Sequence, residues 1–222
     1  MNNTTLICWD LETGSTDPLT TEPLQVAGQA YNPKTLEPIS KENGGQFQSY
    51  LKPLDFSKLE PEALKINRIT VEMLEKAPDQ KIVWNSFINW INTFNTSKNK
   101  WGCPIAMGKN IRGFDMVIAK RMNQLHCSKK DKTLFFNTWM QVDLEDFLWS
   151  WTEGGGIDIP NLKMDTIRDY FGLSKESGHC AITDVSQTGE LIIKFLKLYR
   201  TLSKRVSVDG TPLIKFKDSC KK

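Results

Sequence analysis

An α/β domain is predicted for this chain by three observations. Three β-compatible runs come first, at 6–9, 24–31 and 45–51, and the segments between them are rich in turn residues. Apolar stripes at helical spacing follow. Two further short strand patterns, one at 104–107 and one ending at Asp143, are interleaved with those helices. Early strands joined by short turns make an antiparallel meander, and the later mixture of helix and strand makes the class α/β rather than all-β. The 222 residues, 39% hydrophobic and 25% charged, suit one globular domain with at most a modest extension. The domain is placed at 1–200 and a basic C-terminal extension at 201–222.

The first strand orders the rest. Leu6 to Trp9 is a short apolar run behind a polar N-terminus, with Gly14, Ser15, Asp17 and Pro18 beyond it, so it reads as a buried strand ending in a loop. Asp10 and Glu12 stand at its end. Residues two apart in a strand share a face, so these carboxylates lie about 7 Å apart along the backbone and their oxygens can converge. Two ionised carboxylates beside a core repel and lose hydration, so they need a cation, a hydrogen-bond network or a shared proton. A hard divalent ion suits them, because Mg²⁺ prefers carboxylate oxygen. The plainer alternative is a pair of solvated acids at a strand end.

Leu24 to Tyr31 alternates well enough for a second strand, closed by a turn at Asn32 and Pro33, and Gly45 to Leu51 makes a third. Pro61 to Leu64 and Thr70 to Leu74 read as short helices, the second with Thr70 as N-cap. After Pro78 a longer helix presents Val83, Phe87, Trp90, Ile91 and Phe94 as a core-facing stripe. Pro104 to Met107 is a fourth strand, and Gly108 to Asp115 lead into a helix with Phe114, Val117, Ile118, Met122 and Leu125 apolar. Asp115 in its first turn suits the helix dipole, so capping alone would explain it. The aromatic stretch 133–151 reads as a strand up to Asp143 and a helix after it, broken at Gly154 to Gly156. A short helix from Met164 to Phe171 turns Met164, Ile167 and Phe171 inward, and Gly172 caps it. The last helix, about Ala181 to Tyr199, carries Ala181, Val185, Thr188, Ile192, Phe195 and Tyr199 on its buried stripe. Asp184 flanks that stripe, which is costly unless something cationic meets it. His179, in the loop before this helix, reads as a structural histidine or as a partner of that acid.

Composition narrows the function classes. No apolar run approaches the roughly 18 residues of a membrane span, and the first residues lack the basic flank and apolar stretch of a signal peptide, so a soluble, cytoplasmic protein is expected. Five scattered cysteines read as reduced thiols, with His126 beside Cys127 the one hint of zinc. A net charge of +3 tolerates a polyanionic ligand without demanding one.

Taken together, the inventory is an acid pair on the first strand, an acid opening one helix, and a histidine and an acid at the start of another. Its order and wording resemble the DnaQ-like 3′→5′ exonucleases of the DEDDh type. Asp10, Leu11, Glu12, Thr13 and Pro18 match the first motif. Asn110, Phe114 and Asp115 match the second, and His179, Ala181 and Asp184 the third. Ala63, Leu64, Ile66, Ile69, Thr70, Leu74 and Pro78 also look like the family's intervening segment, and the resemblance covers roughly residues 5 to 200. Two departures stand out. Gly14 and Ser15 replace the threonine and glycine that commonly follow the motif acid, and three residues rather than two separate Asn110 from Phe114, as in exonuclease I-like members.

The resemblance implies a ribonuclease H-like mixed five-stranded sheet, its first three strands antiparallel, with helices on both faces. It implies two divalent cations, Mg²⁺ or Mn²⁺, held by Asp10, Glu12, Asp115 and Asp184. Asp10 would bridge both, Glu12 and Asp184 would complete the site for the attacking water, Asp115 would help hold the second, and His179 would take the water's proton. Thr13, Gly14 and Asn110 would bind substrate, with open backbone at Thr13 and Gly14 meeting the terminal sugar. The substrate implied is a single-stranded or frayed 3′ end, DNA favoured. An exoribonuclease, or a silent nucleic-acid-binding or polymerase-partner module using Lys109, Arg112, Lys120, Arg121 and the basic tail, are the alternatives.

Overall fold

β1 (Leu6–Thr13) forms the middle of a five-stranded sheet ordered β3-β2-β1-β4-β5. The computed structural model describes residues 4–127, 135–155, 158–174, 181–205, 207–208 and 211–212. β2 (Pro23–Tyr31) pairs antiparallel with β1, from Leu6 opposite Tyr31 to Thr13 opposite Pro23, and β3 (Gln46–Tyr50) pairs antiparallel with β2. β4 (Ile105–Gly108) and β5 (Gln141–Asp143) add in parallel on the other side. The mixed sheet with an antiparallel first half is the expected one. β1 runs four residues beyond its apolar stretch because backbone pairing with β2, which is blind to side-chain polarity, continues to Thr13.

Strand alternation divides the core in two. Ile7, Trp9 and Leu11 of β1 pack with Val26, Ala30 and Ala106 against α3 (Gln80–Asn92) and α4 (Asp115–His126). Leu6 and Cys8 pack with Ala27, Tyr31, Ile105 and Met107 against α5 (Leu144–Gly155), α6 (Met164–Phe171) and α7 (Ala181–Arg205). Helices therefore cover both faces. The short α1 (Pro61–Asn67) and α2 (Val71–Glu75) close a small cluster around Leu24, Ile69 and Leu74, and Thr70 caps α2 by accepting from the Met73 N–H at 3.3 Å. α7 can lie close on β2 because residue 189 is glycine: a Cβ there would come within 2.3 Å of the Tyr31 hydroxyl.

Some local expectations shift. α3 buries Trp84 and Ile88 beside Val83, Phe87 and Ile91, whereas Trp90 is only half-buried and donates from Nε1 to the Gly44 carbonyl at 2.7 Å. Leu125 and Tyr199, at the ends of their stripes, are exposed. His126 bonds Gln80 Oε1 through Nε2 and the Cys127 thiol turns to Asn123, so the pair does not converge on a zinc ion. Cys8 and Cys103 are free thiols. α7 continues past residue 200 to Arg205, and the two-residue strands β6 (Ser207–Val208) and β7 (Thr211–Pro212) pair after it. Lys215, Lys217, Lys221 and Lys222 of the basic tail lie outside the described residues, as do His179, Cys180 and Gly156. No helix among the described residues is long and apolar enough to cross a membrane.

Candidate active site

The even-numbered residues of β1 change chemistry half-way along one face. Leu6 and Cys8 are core; Asp10 and Glu12 continue the same row, and Asp10 is the one residue of the strand that is not fully buried. Asp115 opens α4, but it does not cap that helix in the ordinary sense. Its Oδ1 accepts the Leu11 backbone N–H at 3.1 Å, which fixes a carboxylate that is 2% exposed against the strand between Asp10 and Glu12. Asp184, in the first turn of α7, completes the group from the opposite layer.

Four carboxylates in one neighbourhood disturb each other. Glu12 is pushed up to about 7, by burial and then by Asp184. Asp115 is pushed up to about 8, chiefly by burial, with the Leu11 N–H opposing and Glu12 and Asp143 reinforcing. Asp10 rises well above the carboxylate range through the protein packed around it and the fields of Asp115, Glu12 and Asp184, against which Lys109 pulls weakly. Such mutual disturbance marks a site in want of positive charge. Among the described residues no three His, Cys, Asp or Glu side chains are already closed into a metal cage. Asp115 is instead held by the Leu11 N–H and Asp184 by an arginine. Four hard oxygen donors of this kind fit Mg²⁺ or Mn²⁺.

The arginine is Arg168, which sequence reasoning missed. Its side chain is 1% exposed, and its guanidinium donates to Asp184 Oδ1, to Gln187 Oε1 at 2.8 Å and to Asp165 Oδ1 at 2.9 Å. Asp143, buried at the end of β5, was also passed over as a site residue: its Oδ1 accepts the backbone N–H groups of Asn110 at 2.9 Å and Glu145 at 3.1 Å. Asn110 itself has a left-handed backbone (φ 51°), which asparagine tolerates, and so turns the chain from β4 toward α4.

The loop after β1 is held by hydrogen bonds to distant segments. Gly14 donates to the Glu22 carbonyl at 2.9 Å and accepts from the Glu60 N–H at 2.8 Å, and the Thr13 carbonyl accepts from the Asn67 side chain at 3.0 Å. The backbone N–H and carbonyl of Gly14 are therefore both engaged within the protein. Three of the basic residues suggested for a silent binding module are also engaged internally: Lys109 with Glu145 at 3.1 Å, Arg112 with Asp146, and Arg121 with the Thr21 carbonyl at 2.5 Å.

The sequence profile of the Exonuclease family, RNase_T, matches residues 7–192, spanning the first strand, the Asp115 helix and Asp184. The chain belongs to the exonuclease family. No curated protein sequence matches it significantly. Among solved structures, the cell-death related nuclease CRN-4 is similar with a TM-score of 0.67 and 16% identity, over 89% of this chain and 65% of that one. Exonuclease I of E. coli in complex with a dT13 oligonucleotide is similar with a TM-score of 0.68 and 20% identity, over 91% of this chain and 42% of that one. Exonuclease I of Methylocaldum szegediense gives 0.68 and 21%, over 92% and 44%. The likeness is one of fold, and the chain spans less than two thirds of each of these proteins.

Proposed function

We propose that this chain is a metal-dependent 3′→5′ exonuclease of the cytoplasm that removes nucleotides one at a time from single-stranded or frayed 3′ ends, DNA before RNA, as nucleoside 5′-monophosphates. The observation that carries the reading is the convergence of Asp10, Glu12, Asp115 and Asp184 from β1, α4 and α7, three of them driven far from ordinary carboxylate behaviour by burial and by one another.

Asp10, Glu12, Asp115 and Asp184 would hold two divalent cations. When bound, such a pair stabilises charge on the attacking and leaving oxygens of an in-line phosphoryl displacement. Asp115, pinned on the Leu11 N–H, keeps its carboxylate aimed at the strand end without reorganisation. His179 would accept the proton of the attacking water, a role suited to a group whose unperturbed pKa is about 6.5. Thr13 and Asn110, at the ends of β1 and β4, would seat the terminal nucleotide. Asp10 is the point where the β1 row opens, so a frayed chain end would reach it more readily than a paired one would.

DNA is favoured because the oligonucleotide in the similar E. coli exonuclease I is dT13. An exoribonuclease differs in its contacts to the 2′-hydroxyl. The test is a parallel time course on matched single-stranded DNA, duplex DNA and RNA, with Mg²⁺ and with chelator. The expected result is stepwise mononucleotide release from single-stranded DNA that stops with chelator; internal cuts in a closed single-stranded circle would sink the exonuclease reading. For His179→Ala the expectation is a loss of at least about 10²-fold in rate, the low end for a positioned general base. The wild-type rate should rise with pH through the histidine's titration, since only neutral imidazole accepts the proton. A variant that keeps most of its rate and the same acid limb returns His179 to a structural role.

A further inference from the structure

α6 presents Met164, Ile167 and Phe171 inward, and position 168, four residues after Met164, belongs to the same face by helical geometry. An arginine there lies in the core cluster of α5, α6 and α7, where an unpaired guanidinium would be strongly unfavourable. The chain meets it with a complete set of acceptors. Nε donates to Gln187 Oε1, one terminal nitrogen to Asp165 Oδ1 and the other to Asp184 Oδ1. Asp184 and Gln187 are one turn apart on α7, so a planar guanidinium spans both and fixes the rotation of α7 relative to α6. Gln187 also donates to the Ser174 carbonyl at 2.7 Å, tying the end of the α6 connection to the same network.

Asp165 is 64% exposed and can be solvated without help, whereas Asp184 is 19% exposed and stands among three other acids. The cation is therefore spent chiefly on Asp184. We propose that Arg168 is a positioning residue of the acidic site: a resident guanidinium that neutralises Asp184, holds it on the Asp10–Glu12 face, and is partly displaced in electrostatic effect when a divalent ion binds. Arg168 would then weaken the binding of that ion in exchange for keeping the site assembled without it. The proposal rests on the reading of Asp184 as a metal-site residue.

The test is the Mg²⁺-induced rise in Tm of chelator-treated protein, compared for wild type, Arg168→Met, Arg168→Gln and Arg168→Lys, each also in an Asp184→Asn background. Arg168→Met and Arg168→Gln should lower the metal-free Tm and enlarge the Mg²⁺-induced rise. An apparent affinity about tenfold tighter corresponds to roughly 3–6 °C of additional rise at saturation for a chain of this size. Arg168→Lys keeps the charge without the planar fork, so its rise should stay near wild type while its kcat falls. In the Asp184→Asn background, Arg168→Met should no longer enlarge the rise. Should Arg168→Met fail to fold, Arg168→Gln, which retains hydrogen bonding without charge, carries the comparison.

If Arg168 only braces α6 against α7, each variant loses the same Tm with and without Mg²⁺, and the losses persist with Asn at 184; that result overturns the proposal. A wild-type protein whose Tm does not respond to Mg²⁺, or responds equally with Asn at 184, overturns the metal-site reading itself, and the proposal falls with it.

Discussion

The two faces of β1 are built from one strand by one alternation and end up opposite in kind. The odd face, Ile7, Trp9 and Leu11, meets α3 and α4 in an aromatic cluster in which Trp9 stacks on Phe136 at 5.5 Å and lies 5.6 Å from Phe87. The even face starts the same way, with Leu6 and Cys8 sharing a cluster with Val185 and Ile192 of α7, and then turns acidic at Asp10 and Glu12, where α7 offers Asp184. One face stores stability. The other gives some of it up to gather like charges, and a single buried arginine offsets part of that cost. Perturbing each face separately distinguishes the two roles.

The largest loss of stability is expected on the odd face. Trp9→Ala should cost about 3–5 kcal/mol by denaturant unfolding, with the rate per folded molecule unchanged. Trp9→Phe should cost under about 1.5 kcal/mol, since the indole N–H it removes is buried without a partner. If Trp9→Ala spared stability, the division between the faces would be wrong.

On the even face the acids do not behave alike. Asp184→Ala leaves a buried guanidinium short of an acceptor and should destabilise by roughly 1–3 kcal/mol, whereas Asp10→Asn relieves repulsion and should raise the metal-free Tm. Equal responses from the two would remove Arg168 from the account.

Weaker, but diagnostic in sign, is the pH dependence of the metal-free protein. Glu12 at about 7 and Asp115 at about 8 hold protons in the folded state that the unfolded chain has released above about pH 4.5. The folded state thus binds more protons in that window, so their contribution makes stability fall as pH rises from about 4 to about 8 and level off above. Saturating Mg²⁺ should flatten that slope. A chelator-treated protein with the same slope as the Mg²⁺-loaded one would contradict the crowding of the even face. The smallest effect is expected far from both faces: Asp79→Ala, which removes the cap accepting from the Lys81 and Ile82 N–H groups, should cost about 1 kcal/mol and leave the rate alone.

Much of this was legible in the sequence because apolar patterning records burial. The run before Asp10 and the stripes of α3 and α6 are local periodicities, and they foretold strands and helices; the grouping of Asp10, Glu12, Asp115 and Asp184 came from the family resemblance, because periodicity alone leaves Asp115 an ordinary first-turn acid. Contacts between distant residues leave no such record. Asn67 reaches the Thr13 carbonyl across 54 positions, and Asp115 reaches Leu11 across 104. Nothing in the composition of the 14–23 loop reveals that Gly14 spends its backbone on Glu22 and Glu60. Arg168 is the instructive case, because a charged residue in a helix is read as solvated by habit, yet its spacing from Met164 and Ile167 already put it on the buried face.

The central claim is that the even face of β1 carries the chemistry and bears its cost. It is tested most directly by following hydrolysis of a labelled single-stranded oligonucleotide by Asp10→Asn and wild type at saturating Mg²⁺, with Tm recorded on chelator-treated portions of the same preparations. The account predicts release of mononucleotides from the 3′ end by wild type and none by Asp10→Asn, whose metal-free Tm is equal or higher. Cleavage by Asp10→Asn near the wild-type rate, or loss of cleavage accompanied by a collapse in Tm, would contradict it.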